Sequence, residues 1–142
     1  MEIKNLAIRD YEKITKLWEK AELAFKPRGR DSRETIIAEM VKHPDFFLGA
    51  FENGKLIGVV VLSSDLRKGW INRLAVNPDH RRLGVAKALI FESERILRKY
   101  GIMLFCALID GDNEASKSLF RECGYAEHHD ITYFSKRHSE DI

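Results

Sequence analysis

Apolar positions recur along this chain with two different periods, and the changes of period mark its elements. Residues 2–8 read as a short first strand. Asp10 stands where a helix cap belongs, ahead of Tyr11, Ile14, Leu17, Trp18 and Ala21 at helical spacing. Periodicity disappears over residues 23–30, which contain Pro27 and Gly29 and read as a loop. Asp31 followed by Glu34 is a capping-box signal for a second helix with Ile36, Ile37, Met40 and Val41 inward, and His43-Pro44 ends it.

Alternation and apolar runs dominate the middle of the chain. Residues 46–52 and 55–62 flank Asn53-Gly54, the favoured two-residue hairpin turn. A loop over residues 63–69 leads to a strand at 70–76. Residues 85–100 return to helical period, burying Val85, Leu89, Ile96 and Leu97, with Gly101 as the stop. Residues 102–109 are too apolar to alternate, which predicts a strand covered on both faces. A turn at 110–112, a helix at 114–123 stopped by Gly124, and short strands at 125–128 and 131–136 complete the prediction. The order β-α-α-β-β-β-α-β-α-β-β predicts one α/β domain over residues 1–142, with a largely antiparallel sheet and helices on both faces.

Bulk composition narrows the function classes. A chain of 142 residues with 44% hydrophobic and 32% charged content has the makings of one folded domain. No run reaches the roughly 20 apolar residues of a membrane helix, and no apolar signal core follows Met1, so a cytoplasmic location is expected. A net charge of +2 gives no reason to expect nucleic acid as a partner. Cys106 and Cys123 read as reduced packing residues.

The chemistry concentrates between the strand at 70–76 and the following helix. Arg81, Arg82, Leu83, Gly84, Val85, Ala86 and Lys87 form a basic, glycine-containing entry into that helix. Free backbone N–H groups at a helix start, the helix dipole and nearby cations are what a pyrophosphate requires. An ordinary basic helix start has the same local look, and the pattern alone leaves both readings open.

Wider spacing gives that turn a frame. Arg81-x-x-Gly84-x-Ala86 follows Arg73-Leu74-Ala75-Val76-Asn77-Pro78, and Asn113, Ser116, Leu119, Phe120, Gly124 and Tyr125 lie downstream. Together these resemble the two spaced motifs of the GNAT acetyltransferase superfamily, and the element order agrees from Ile3 to Lys136. The resemblance implies a GNAT-like fold that binds acetyl-CoA as acyl donor and acts as an N-acetyltransferase on a primary amine. It implies that Leu74, Ala75 and Val76 offer backbone groups to the pantetheine arm, as to an added strand. Residues Arg81 to Lys87 would hold the pyrophosphate, and Asn113 and Phe120 would lie near the cofactor. Asn113 also fits a simple helix N-cap. A homodimer is a further implication.

Two departures bear on mechanism. Phe120 stands where many relatives carry a tyrosine that protonates the leaving thiolate, and phenylalanine has no such proton. Leu108 stands where ribosomal-protein alanine acetyltransferases carry a glutamate, which argues against that specificity. Tyr100, Tyr125 and Tyr133 are candidate replacements for the acid, and Asp65 and Asp110 lead the candidate bases, ahead of Asp112, Glu127, His128 and His129. The missing groups keep a non-catalytic acyl-CoA sensor open as the alternative. Trp18, Phe25, Lys26, Arg28 and Arg30 could wall an acceptor that carries a carboxylate or phosphate; a solvated loop over a core tryptophan is the competing reading. No metal is expected: residues 110–114 lack the glycine and distal glutamate of a calcium loop, and adjacent His128 and His129 would face opposite ways in a strand.

Overall fold

Asn53 and Gly54 both take positive φ, 50° and 78°, as the tight hairpin turn demands. They join two strands at the centre of a five-stranded sheet. The computed structural model describes residues 1–81 and 83–142. The strands are β1 (Glu2–Asn5), β2 (Phe47–Glu52), β3 (Lys55–Ser64), β4 (Gly69–Val76) and β5 (Phe105–Cys106), in spatial order β1-β2-β3-β4-β5. All neighbours are antiparallel except the β4–β5 pair, which is parallel.

Four helices cover the sheet: α1 (Tyr11–Lys20), α2 (Arg33–Lys42), α3 (Val85–Lys99) and α4 (Glu114–Glu122). β3 is buried along both faces from Leu56 to Leu62. A Cβ at Gly58 would strike Leu89 and Val85, so that face of β3 belongs to α3. α1 also packs against this strand. Trp18, Ile14, Phe47, Leu48, Leu89 and Leu97 fill the core.

Several predicted features resolve differently. Asp10 stands at the N-cap position of α1 as expected, but its side chain gives that helix no cap bond; its carboxylate reaches back to the Ala7 N–H at 2.8 Å, across a 3₁₀ turn at Ile8–Asp10. Ser32, rather than Asp31, caps α2, accepting from the Thr35 N–H at 3.2 Å. The long strand expected over 102–109 shrinks to two residues, and Met103, Leu104 and Leu108 are exposed. The strands expected at 125–128 and 131–136 are absent; Ile131, Tyr133 and Phe134 are exposed there. A strand forms only beside a neighbour, and a two-residue β5 offers almost no ladder to join.

Candidate functional site

β4 carries the feature on which the site is built. Val59 pairs with Ala75 and Val61 with Asn72, so Arg73 and Leu74 together face the single residue Val60. This is a β-bulge, and Arg73 absorbs it with φ of 52°. An L-residue in that conformation costs roughly 1–2 kcal/mol. On its other edge β4 meets β5 only through Gly69–Phe105 and Trp70–Cys106. From Ile71 to Val76 the outer backbone edge of β4 has no strand partner among the described residues.

Beyond β4 the chain turns at Pro78–His80 and enters α3 at Gly84, whose φ of 77° places it in the left-handed region. The first helical bond recorded across this start runs from the Ala88 N–H to the Gly84 carbonyl. No side chain caps the end. The N–H groups of Val85, Ala86 and Lys87 therefore lack intrahelical acceptors at the positive pole of a 15-residue helix. His80, at the entry to the turn, keeps a buried Nδ1 without a hydrogen-bond partner among the described residues. Arg81 and Leu83 are exposed, while Lys87 leans to α4 and pairs with Glu122 at 2.9 Å. Arg82 lies outside the described residues. An open strand edge leading to a bare helix start fits an extended chain that ends in phosphates.

Asn113 caps α4, its Oδ1 accepting from the Ser116 N–H at 3.1 Å. Phe120 is buried edge-to-face against Tyr125, with ring centres 5.1 Å apart. The Tyr125 hydroxyl donates to Glu94 at 2.6 Å. Burial first, and that carboxylate second, push the phenol far above its ordinary range, so Tyr125 is a poor proton donor. Tyr100 is likewise engaged, donating to Asp45 at 2.5 Å. Tyr133 is exposed in the C-terminal segment.

The candidate bases separate clearly. Asp65 accepts the N–H groups of Lys68 at 2.8 Å and Arg67 at 3.0 Å. Those bonds, the Lys68 one first, hold its carboxyl below the usual range and make it a weak base. It also lies in the turn before Gly69, at the end of β4 remote from the bulge. Asp110 follows β5, and its carbonyl closes the turn by accepting from the Asn113 N–H at 3.0 Å. The parallel register ends at Trp70–Cys106, four residues before Asp110.

The residues expected to wall an acceptor are differently disposed. Trp18 is fully buried, so its ring lines no open surface. The Arg73 guanidinium lies over that ring at 4.9 Å, and Phe25 packs beside it with ring centres 5.8 Å apart. Arg28 pairs with Asp141 at 3.1 Å, and the Arg30 Nε stands 3.8 Å from Asp31. Each arginine already faces a carboxylate, which weakens the case for an anionic acceptor.

Two residues of consequence carried no local signal of these roles. Asp31, 3% exposed, accepts from the Lys26 N–H at 2.7 Å and from Arg73 Nη2 at 2.6 Å through one oxygen. Glu39 on α2 titrates above the ordinary carboxyl range, through burial first and then the negative charge of Asp31, against Arg73 and His43. A raised carboxyl stabilises the fold when protonated, and that contribution disappears as pH climbs through its folded value. Glu39→Gln is therefore expected to raise Tm at about pH 7 and to leave it unchanged at about pH 3. Calorimetry at both pH values checks this; a fall at both would give Glu39 a packing role instead.

These features meet an independent line of evidence. The Acetyltransferase (GNAT) family pattern matches residues 6–125. The chain belongs to the GNAT acetyltransferase family. An acetyltransferase of Sodalis glossinidius (strain morsitans) is 32% identical over 142 residues, covering 99% of this chain and 98% of that protein. One from Pectobacterium atrosepticum is 33% identical over 142 residues, with coverages of 99% and 98%. The crystal structure of the PaiA N-acetyltransferase from Thermoplasma acidophilum, in complex with coenzyme A, superposes with a TM-score of 0.77. It is 25% identical, over 86% of this chain and 87% of that one. As a member of this family the protein is an acetyltransferase. Among the described residues no helix is long and apolar enough to cross a membrane.

Proposed function

We propose that the protein moves an acetyl group from acetyl-CoA to a primary amine by direct attack within a ternary complex. The observation that carries this reading is the continuity of the unpaired β4 edge, residues 71–76, with the uncapped start of α3. Backbone groups of Leu74, Ala75 and Val76 hold the extended pantetheine arm, and the N–H groups of residues 85–87 receive the pyrophosphate. The donor supplies a thioester carbon open to attack. A backbone N–H beside the bulge is aimed to stabilise charge growing on the acyl oxygen. Phe120 supplies no proton, and a thiolate whose parent pKa is near 8.5 leaves without one.

The acceptor must first lose a proton. A lysine-like amine with a pKa of about 10.4 is neutral in only about one molecule in a few thousand at pH 7, whereas an α-amine near 8 needs far less help. Asp110 is the favoured base, since it follows β5, the strand that borders β4. Asp110→Asn is expected to lower kcat by about a hundredfold with acetyl-CoA affinity retained. Asp65→Asn should change neither by more than about twofold, because its carboxylate is committed to turn N–H groups. Equal losses in the two variants would remove Asp110 from the role.

The acceptor class is decided by measuring CoA release against short peptides with varied N-termini and against small metabolite amines. Release with one pool names the class. Silence in both, with acetyl-CoA bound, would overturn the direct-transfer reading for amines of either kind. The homodimer implied by family resemblance would have Ile131, Tyr133 and Phe134, all exposed, available to cover; equilibrium sedimentation reads it directly.

A further inference from the structure

Arg73 joins two parts of the protein that the reaction must hold in register. Its backbone forms the bulge of β4, at φ of 52°. Its side chain leaves the sheet and takes hold of the segment between α1 and α2. Nη1 donates to the Ala24 carbonyl at 3.0 Å, and Nη2 donates to Asp31 at 2.6 Å. The same Asp31 oxygen accepts the Lys26 N–H, and the Asp31 carbonyl accepts from the Tyr11 hydroxyl at 2.9 Å. Residues 24–31 are thus wound around one carboxylate, and that carboxylate is tied to the bulge. Trp18 lies beneath the guanidinium, which stands 4.9 Å from the ring centre.

We propose that Arg73 is a positioning residue that sets the acceptor-side loop, residues 24–31, against the bulged donor strand. The proposal rests on the reading of β4 as the donor strand. It assigns Arg73 no contact with either substrate: the guanidinium is committed to the loop and stacked on Trp18. Three consequences distinguish this from general stabilisation. Losing the side chain harms acceptor use more than donor binding. Lysine rescues only in part, since it supplies one point charge instead of a planar fork. The loop loosens by more than the sheet.

Arg73→Gly is the informative variant, because glycine adopts positive φ freely and keeps the bulge while the tie is lost. Arg73→Lys is its conservative partner. Hydrogen exchange of residues 24–31 is expected to rise more than tenfold in Arg73→Gly beyond any rise shared with β1 to β3. In a Trp70→Phe background the emission of Trp18 should shift as its cation is removed. The acceptor kcat/KM should fall ten- to a hundredfold, while Kd for acetyl-CoA stays within about twofold. Arg73→Lys should fall between the two.

Unchanged exchange in the loop overturns the proposal whatever the kinetics, and so does full acceptor kcat/KM in a variant whose loop has loosened. A wild-type protein that binds acetyl-CoA but acetylates no amine, with the exchange result intact, would sink the acetyl-transfer reading and leave the structural tie standing.

Discussion

Asp31→Ala is expected to lose about 3–5 kcal/mol of stability, since it strands a cation inside the protein. Asp31 and Arg73 meet at 2.6 Å with side-chain exposures of 5% and 18%, so solvent cannot take over the missing partner. The Lys26 N–H loses its acceptor as well. For a chain of this size the loss corresponds to a fall in Tm on the order of 10–20 °C. The double variant Asp31→Ala with Arg73→Met removes both charges and should recover much of that deficit, because an apolar side chain over Trp18 needs no counter-ion. Thermal unfolding of the two variants checks the pair. A double variant no better than the single one would show that the hydrogen bonds of the loop, rather than charge burial, set the cost.

Gly84→Val is expected to weaken acetyl-CoA binding about ten- to a hundredfold, which is roughly 1.4–2.8 kcal/mol. Among the described residues a Cβ at Gly84 would meet nothing within 4 Å, so crowding by them is not the cause. The cost lies in φ of 77°, which a β-branched residue leaves at once, and leaving it turns the N–H groups at the start of α3. Gly54 offers a matched control, with φ of 78° and equally open surroundings at the hairpin tip. Gly54→Val should suffer comparable strain and show no change in donor affinity. Calorimetric titration of both variants separates a conformational defect at the phosphate turn from a general loss of stability. Equal donor affinities in the two would remove the turn from the donor site.

The residues that announced themselves in sequence are those whose signals are local. Asn53-Gly54, Gly101 and Gly124 each take positive φ where a turn or helix stop was expected, at 50° and 78°, 79° and 93°. The strand–turn–helix around Gly84 followed from the same kind of evidence. What stayed hidden depends on distant partners. Asp31 stands three residues before Glu34 and reads as a helix cap, yet its carboxylate is claimed by an arginine 42 positions away. The bulge at Arg73 exists because β3 and β4 fall out of step, which no feature of β4 alone reveals. The apolar run at 102–109 reads as a fully paired strand, but the divergence of β4 from β5 leaves two residues of ladder. The alternation at 131–136 lost its neighbour for the same reason.

With the donor docked beside β4, that divergence would tie the persistence of the fold to the donor's supply. A sheet joined to its last strand by two rungs has its weakest seam where the donor would lie, and whatever docks there acts as a missing strand. Ligand at a hundred times its Kd adds about 2.7 kcal/mol of apparent stability to such a fold. Cells rich in acetyl-CoA would hold the protein closed against proteolysis, and starved cells would let it be cleared. The catalyst would then persist in proportion to the acetyl groups it has to spend.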